Sequence, residues 1–332
     1  MNKESGFHIV FSVTSRGRDV YSAMTRLAAA SIRITNPDAF LTVAVDHETD
    51  SKIRERGDFL TNEVDGWLRV ETPDGPPAFR NRMVKIRLNS YIKTSFLYLD
   101  SDILVRSWLH QIFTSKCLGV TYNHSTENCE KQVWNVDRGV FAANGWPLPW
   151  EGYFNAGLLF FKGEKIEREL AVLWEELFRR SVEKTKIYRD QPAFNRALAI
   201  IGCRKTILSK NFNHQFRVQW KGLSNAKIWH YYYSSGKPPD TRWEEEVQSV
   251  VESQTVRIRR IRALVRASHP WRGSTIGSQF LLRGLESSGN FRSWQGRVLK
   301  GGWARGIGVS VKRRGSMALS KLFGRLRGFG FW

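Results

Sequence analysis

The sequence predicts an α/β domain with a mostly parallel central sheet and helices on both faces, followed by a basic C-terminal extension. Short apolar runs alternate with segments of helical spacing through the first half of the chain, an order that is typical of a parallel sheet covered by helices. Charge divides the chain, because residues 255–332 hold seventeen Lys or Arg and a single acid, against a net charge of +21 for the whole. We therefore predict a folded domain over residues 1–250 and a basic amphipathic extension over residues 251–332.

The first hundred residues contain three predicted strands and two predicted helices. The strands are expected at residues 7–13, 40–45 and 95–99, each of them short, apolar and rich in β-branched or aromatic residues. Residues 19–35 have apolar side chains at helical spacing, and the Asn36-Pro37 pair ends that helix. A second helix is predicted over residues 82–93, after a turn-rich segment of Pro, Asp and Gly.

The same alternation continues through the middle of the chain. The predicted elements are a strand at 155–161, helices at 163–181 and 193–200, and a strand at 227–232. Glu164 and Arg180 lie near opposite ends of the longer helix, in the order that the helix dipole favours. From about residue 250 the chain is rich in Arg, Gly and Ser, and the alternation stops.

Composition excludes several classes of protein. At 41% hydrophobic residues the chain is too apolar for general disorder. Its three cysteines, Cys117, Cys129 and Cys203, are scattered and odd in number, which is typical of reduced thiols in a cytosolic protein. The N-terminus lacks the features of a signal peptide, and no stretch reaches the roughly 18 apolar residues that a membrane span needs. We expect a cytoplasmic protein.

Two carboxylates, Asp100 and Asp102, directly follow the predicted strand at 95–99. In open α/β sheets ligands bind outside the carboxyl ends of the strands, where both carboxylates can reach one hard divalent cation. Such a cation would clamp a diphosphate. The alternative is a solvated turn that ends a strand, because the Asp-x-Asp pattern alone is common.

Two more motifs lie beside apolar strands. His230 ends the late strand and is a candidate third metal ligand, and the nearby Gly236 and Lys237 suit an approach to phosphate. Asn155 opens the strand at 155–161, where it could hydrogen-bond a sugar hydroxyl. The alternatives are a structural histidine in an aromatic cluster, an ordinary Gly-Lys-Pro turn and a strand entered by a turn.

Asp190 and Gln191 form the last motif, just before a predicted helix. They suit a sugar pocket, and the alternative is that Asp190 simply caps the helix that begins near Pro192.

In this order the motifs YLDSD, FNAG, DQ and HYYYSSGKP resemble those of the GT-A glycosyltransferases, and most closely the retaining family 8. The resemblance covers roughly residues 7–240. It implies a GT-A fold and the transfer of a hexose from a nucleotide-diphosphate sugar to a glycan or lipid-linked glycan acceptor, with Mn²⁺ or Mg²⁺ as cofactor. It also implies front-side transfer with retention of configuration, and UDP as the family's usual nucleotide.

The resemblance implies a role for each matching residue. Asp100, Asp102 and His230 would bind the metal, and Asn155, Asp190 and Gln191 would line the donor-sugar pocket near the anomeric carbon. The residues implied for the nucleotide are Ser12, Val13, Thr14, Tyr21, Lys85, Ser101, Gly236 and Lys237. Two departures stand out: His230 and Gly236 are farther apart than is usual, and the loop before Tyr21 is longer, which adds Arg16 and Arg18 as candidate phosphate ligands.

The basic extension suits the surface of an anionic membrane. Residues 256–266 and 316–332 have apolar residues at helical spacing flanked by Lys or Arg, with terminal Phe and Trp in the second segment. The alternatives are a solvated tail and a nucleic-acid-binding segment. Two rival functions for the whole chain are a sugar-nucleotide nucleotidyltransferase, whose Gly-rich loop is poorly matched here, and a nucleic-acid-binding protein, whose charge would lie on the core. We therefore expect membrane contact on the inner face and no nucleic-acid partner.

Overall fold

The structure is a computed structural model that describes residues 7–125, 133–216, 222–232 and 241–271. The strands are β1 (His8–Val13), β2 (Phe40–Val45), β3 (Gly66–Arg69), β4 (Phe96–Leu99), β5 (Ile103–Val105), β6 (Leu118–Tyr122), β7 (Phe154–Phe161), β8 (Lys205–Ile207) and β9 (Ile228–His230). The α-helices are α1 (Val20–Thr35), α2 (His47–Glu55), α3 (Pro77–Tyr91), α4 (His110–Phe113), α5 (Asn135–Asn144), α6 (Lys165–Thr185), α7 (Gln191–Ile201), α8 (Arg242–Ser253) and α9 (Ile258–Arg266).

The central sheet has the strand order β3-β2-β1-β4-β7-β6-β8. β7 pairs antiparallel with both β4 and β6, whereas the other pairings are parallel. One strand of the seven is therefore reversed, which confirms the mostly parallel sheet. β5 and β9 form a separate antiparallel pair.

Helices cover both faces of the sheet, because side chains that alternate along each strand enter two different cores. Val10 and Tyr98 pack on one face with residues of α3, α6 and α7. Phe11 and Leu97 pack on the other face with residues of α1, α2 and α4. The predicted fold class is therefore confirmed.

A third hydrophobic cluster extends the folded unit past residue 250. It joins α1 and the β5–β9 pair to Trp243 of α8, to Ile261 and Leu264 of α9, and to Trp271. Arg106 also donates to the carbonyl oxygens of Val265 and Ala267. Ile261, Leu264 and Val265 of the predicted amphipathic segment at 256–266 therefore face the protein core, whereas Ile258 at its start is exposed and the outer side carries arginines. The predicted segment at 316–332 lies outside the described residues.

The predicted strands and helices are present with shifted ends. α3 begins at Pro77 rather than at residue 82, because proline fits the first helical turn, where its missing N–H would have no partner. Several short elements were not predicted: α2, α4, α5, α8, β3, β5, β6 and β8. Apart from α5 and α8, they have nine residues or fewer, and so short a segment shows little periodicity. Cys117 and Cys203 are buried free thiols, and Cys129 lies outside the described residues.

Within the described part of the chain, no helix combines the length and the apolar character that crossing a bilayer requires.

The packing of α9 gives a test of the extended core. Leu264 is 4% exposed, so Leu264→Ala should lower the free energy of unfolding by about 2–4 kcal/mol through lost burial and a cavity. Arg262→Ala on the exposed side of the same helix is the matched control and should change it by about 0.5 kcal/mol or less. Urea unfolding of the two variants measures both, and equal stability would mean that α9 is not part of the core.

Candidate functional site

Polar residues that follow β1 and β4 meet polar residues from the start of β7 at one edge of the sheet. Phe11 pairs with Leu99, and Leu99 pairs with Leu158. Because β7 is reversed, its amino end meets the carboxyl ends of β1 and β4. The backbone N–H of Asp100 donates to the carbonyl oxygen of Gly157 at 2.9 Å, which fixes the two motifs against each other.

A pocket of about 250 Å³ opens at this edge. Among its lining residues are seven that the sequence analysis singled out: Ser12, Val13, Thr14, Tyr21, Asp100, Ser101 and Asp102. The others, which sequence reasoning missed, are Met24, Pro77, Ala78, Asn81 and Arg82. The missed set comes mostly from the first turns of α3, where Ala78, Asn81 and Arg82 have the i, i+3, i+4 spacing of one helix face. That face is polar, so a search for apolar periodicity does not find it.

Asp100, Asp102 and His230 come together as predicted. One ligand atom from each lies within 4.8 Å of the other two, and His230 Nε2 is 3.3 Å from Asp102 Oδ1. His230 Nδ1 donates to Asn213 Oδ1 at 2.8 Å, so the other ring nitrogen, Nε2, faces the carboxylates. This is the usual arrangement of a metal-ligating histidine with an outer hydrogen-bond partner. Two carboxylates and an imidazole form a site that a divalent cation fits.

Gly157 leaves room for this cluster. A Cβ at position 157 would lie 2.4 Å from Asp100 Oδ2 and 2.8 Å from His230 Cε1. Glycine is therefore needed here for the close approach of two side chains to the backbone. The small residue of the FNAG motif thus has a steric explanation at the candidate metal site.

The electrostatics of the cluster favour positive charge. Burial lowers the pKa of His230, but the carboxylates of Asp102 and Asp100 outweigh burial and hold its pKa above the ordinary value. Burial and Asp100 raise the pKa of Tyr98, so Tyr98 remains a neutral donor to Asp100 Oδ1. A divalent cation would take the place of the proton on His230, because metal binding requires the neutral imidazole.

Asp190 lies at the N-cap position of α7 but makes no capping hydrogen bond, so the structural alternative for this residue is wrong. Its carboxylate pairs instead with Lys85 Nζ at 2.8 Å and Arg82 Nε at 3.1 Å. Lys85 is 3% exposed and also lies 3.6 Å from Asp100 Oδ1. Lys85 thus links Asp190 to Asp100, and Arg82 is a second cation on Asp190.

Asn155 is the centre of a buried hydrogen-bond network. Its Oδ1 accepts from Asn213 Nδ2 and from the Gly157 backbone, both at 2.9 Å. Its Nδ2 lies 3.1 Å from Gln191 Oε1, which also accepts from the Ala156 backbone. The network therefore runs from Gln191 through Asn155 and Asn213 to His230. Asn213 belongs to none of the predicted motifs, so sequence reasoning missed it.

Four predicted residues lie outside this arrangement. Gly236 and Lys237 fall outside the described residues. Arg16 and Arg18 do not line the pocket, and Arg18 donates instead to the carbonyl oxygen of Gly57.

The fit of Gly157 provides a test of the cation site. Gly157→Ala should displace Asp100 and His230 and weaken Mn²⁺ binding by about tenfold to a hundredfold. Electron paramagnetic resonance of free Mn²⁺ during a titration measures this without reference to activity. Gly139→Ala in α5 is the matched control: a Cβ there meets no atom within 4 Å, so Mn²⁺ affinity should not change. If Gly157→Ala bound Mn²⁺ as tightly as the wild type does, the cation site would not lie at Asp100 and His230.

Comparisons with known proteins agree with the geometry. The profile of glycosyl transferase family 8 matches residues 78–248, just over half of the chain. A search of curated protein sequences gave no match.

Two solved structures, both of LgtC, have the same fold. The galactosyltransferase LgtC, in complex with donor and acceptor sugar analogues, aligns with a TM-score of 0.51 and 20% identity over 76% of this chain and 98% of that chain. An active-site mutant of LgtC aligns with a TM-score of 0.50 and 18% identity over the same shares. The glycosyltransferase GlyE of Streptococcus pneumoniae aligns with a TM-score of 0.45 and 17% identity over 81% of this chain and 66% of that chain. The chain therefore belongs to glycosyl transferase family 8 and is a glycosyltransferase with the GT-A fold.

Proposed function

We propose that the protein is a retaining hexosyltransferase that uses a nucleotide-diphosphate sugar and transfers the hexose to a glycan or lipid-linked glycan. The observation that carries the proposal is the junction of a pocket suited to a nucleotide with the Asp100, Asp102 and His230 cluster. The resemblance to family 8 supports UDP as the nucleotide.

Two residues that line the pocket suit a nucleotide: one offers an exposed aromatic ring, and the other a buried hydroxyl. Tyr21 is 47% exposed at the start of α1, where its ring is open to stack on a base. Thr14 Oγ1 is buried and has no hydrogen-bond partner among the described residues. A buried polar atom of this kind is costly unless a ligand satisfies it, which supports a role for Thr14, with Ser12, Val13 and Ser101, in nucleotide binding.

Asp100, Asp102 and His230 would hold Mn²⁺, or Mg²⁺, which when bound supplies positive charge to the diphosphate. Arg82 supports the same role from the protein side, because its side chain is 35% exposed and lines the pocket. Arginine matches phosphate oxygens in a bidentate geometry. Lys85 is buried behind it and keeps Asp190 in place.

The arrangement of Asp190 and Gln191 supports front-side transfer. Asp190 is paired with two cations, and Gln191 Oε1 already accepts two hydrogen bonds, so neither side chain is free to attack the anomeric carbon. The bond from that carbon to the phosphate oxygen breaks, and the acceptor oxygen bonds to the carbon on the same face. The acceptor proton passes to the departing phosphate oxygen. Asn155 and Gln191 orient the donor sugar.

We also propose that the basic extension brings the enzyme to the inner face of an anionic membrane in the cytoplasm. The exposed arginines of α9 and the basic residues beyond Trp271 support this. Because Ile261, Leu264 and Val265 of α9 are buried, we expect mainly electrostatic contact from that helix. Because the packed core extends to Trp271, we draw the boundary of the catalytic domain after that residue.

A panel of sugar nucleotides tests the function. With Mn²⁺ present, the wild type should release nucleotide from at least one nucleotide-diphosphate hexose, and EDTA should stop the release. Asp102→Asn removes one negative charge at nearly constant shape and should lower the rate by about a hundredfold or more. Asp38→Asn, in an exposed turn, is the matched control and should leave the rate unchanged.

Two outcomes would contradict the proposal. If neither EDTA nor Asp102→Asn changed the rate of nucleotide release, the reaction would not depend on a metal ion. If the NMR signal of the anomeric proton showed a β-linked product from an α-linked donor, the enzyme would invert the configuration rather than retain it.

Vesicle co-sedimentation tests the membrane proposal. The full chain should sediment with vesicles that contain phosphatidylglycerol, less so as salt rises, and poorly with phosphatidylcholine alone, because each basic residue contributes about 1 kcal/mol near an anionic surface. A chain that ends at Trp271 should largely lose this binding and still hydrolyse donor. Tight binding to DNA or RNA without vesicle binding would mean that the extension serves nucleic acid instead.

A further inference from the structure

Tyr232, directly after β9, has an unusual backbone conformation. Its φ of +49° lies in the left-handed region, which is strained for a bulky residue with a Cβ. Two contacts hold it there. The ring stacks on His230 with centroids 4.4 Å apart and planes 11° apart, and the hydroxyl oxygen lies 3.3 Å from Asn155 Nδ2. The left-handed backbone conformation of Tyr232 therefore accompanies a position of its ring against His230 and Asn155.

Trp134, just before α5, continues this aromatic surface outward. Its ring centroid is 6.2 Å from that of Tyr232, and His124 contacts it edge-on at 4.9 Å. The guanidinium of Arg189 lies 5.9 Å from the same ring and pairs with Asp137. Neighbours thus hold the indole in place, yet 36% of the residue is exposed.

This surface is separate from the nucleotide pocket. The lining of that pocket comes from β1, α1, α3 and the loop after β4, and neither Trp134 nor Tyr232 belongs to it. Tyr232 nevertheless touches His230 and Asn155, at the point where the sugar would react. A ligand on the exposed indole therefore reaches the reaction centre from the side that the nucleotide does not use.

We propose that Trp134 and Tyr232 form an acceptor platform, on which the terminal pyranose ring of the acceptor stacks with its C–H face against Trp134. The proposal rests on the proposed function, since only a transferase needs a second sugar here. The negative face of an aromatic ring attracts the weakly positive C–H groups of a sugar. Arg189 is already paired with Asp137, so the platform offers no unpaired charge from that side and suits a neutral pyranoside.

Two measurements test the platform. Saturation-transfer-difference NMR with methyl β-D-galactopyranoside, methyl β-D-glucopyranoside and lactose, with no donor present, should show transfer to the ring C–H protons in the wild type. Trp134→Ala should weaken that transfer and raise the acceptor KM relative to the donor KM by about threefold to tenfold. Trp134→Phe should restore most of both, because it keeps an aromatic face.

Trp150→Ala is the matched control. Trp150 is 85% exposed on a different surface, so its loss should change neither measurement. The platform is overturned if Trp134→Ala matches Trp150→Ala, or if the wild type transfers saturation to none of the pyranosides. Should Trp134→Ala fail to fold, Trp134→Phe decides: it must bind the pyranosides, and a Trp134→Leu variant must bind them more weakly. Failure of the proposed function has another signature, which is that the wild type releases no nucleotide from any sugar nucleotide.

Discussion

β7 runs against its neighbours, and the geometry of the site depends on that reversal. In a wholly parallel sheet the amino end of β7 would lie at the opposite edge from the carboxyl ends of β1 and β4. The antiparallel pairing of Leu99 with Leu158 instead brings Asn155 and Gly157 beside Asp100. The hydrogen bond from the Asp100 backbone N–H to the Gly157 carbonyl oxygen then fixes the position of Asp100, a candidate metal ligand, along the strand relative to Asn155.

Three carboxylates can lie close together at this partly buried edge of the sheet because nearby cations balance their charge. Asp100, Asp102 and Asp190 would repel one another in a low dielectric. Lys85 lies between two of these carboxylates, and Arg82 shares Asp190 with it. The protein's own cations thus satisfy Asp190, whereas Asp102 faces His230 and the open pocket. The residual negative charge is therefore concentrated where a cation would bind.

The apolar pattern of the sequence predicted the strands that carry the site, because short buried strands are strongly apolar. The polar motifs were found because they lie at the ends of these strands. The sequence could not predict which motif residues pair with which: Asp190 reads as a helix cap, yet its carboxylate pairs with Lys85 and Arg82 from α3. Asn81 and Arg82 were missed because they lie on a polar face of α3, which a search for apolar periodicity does not find. The shared side of Ile261, Leu264 and Val265 in α9 was predicted correctly, whereas Ile258 is exposed. Periodicity does not distinguish a membrane from a protein core as the partner of such a side.

The amide chain from Gln191 through Asn155 and Asn213 to His230 has a thermodynamic consequence. If a sugar hydroxyl competes for Asn155, as proposed, it would alter the amide that orients the His230 imidazole, and occupancy at one end would change the affinity at the other. Linkage requires this effect to be reciprocal, with the same factor in both directions. Donor sugar and cation would then bind as a thermodynamically coupled pair, with two asparagine side chains carrying a share of their mutual influence in addition to the charge that the cation supplies to the diphosphate.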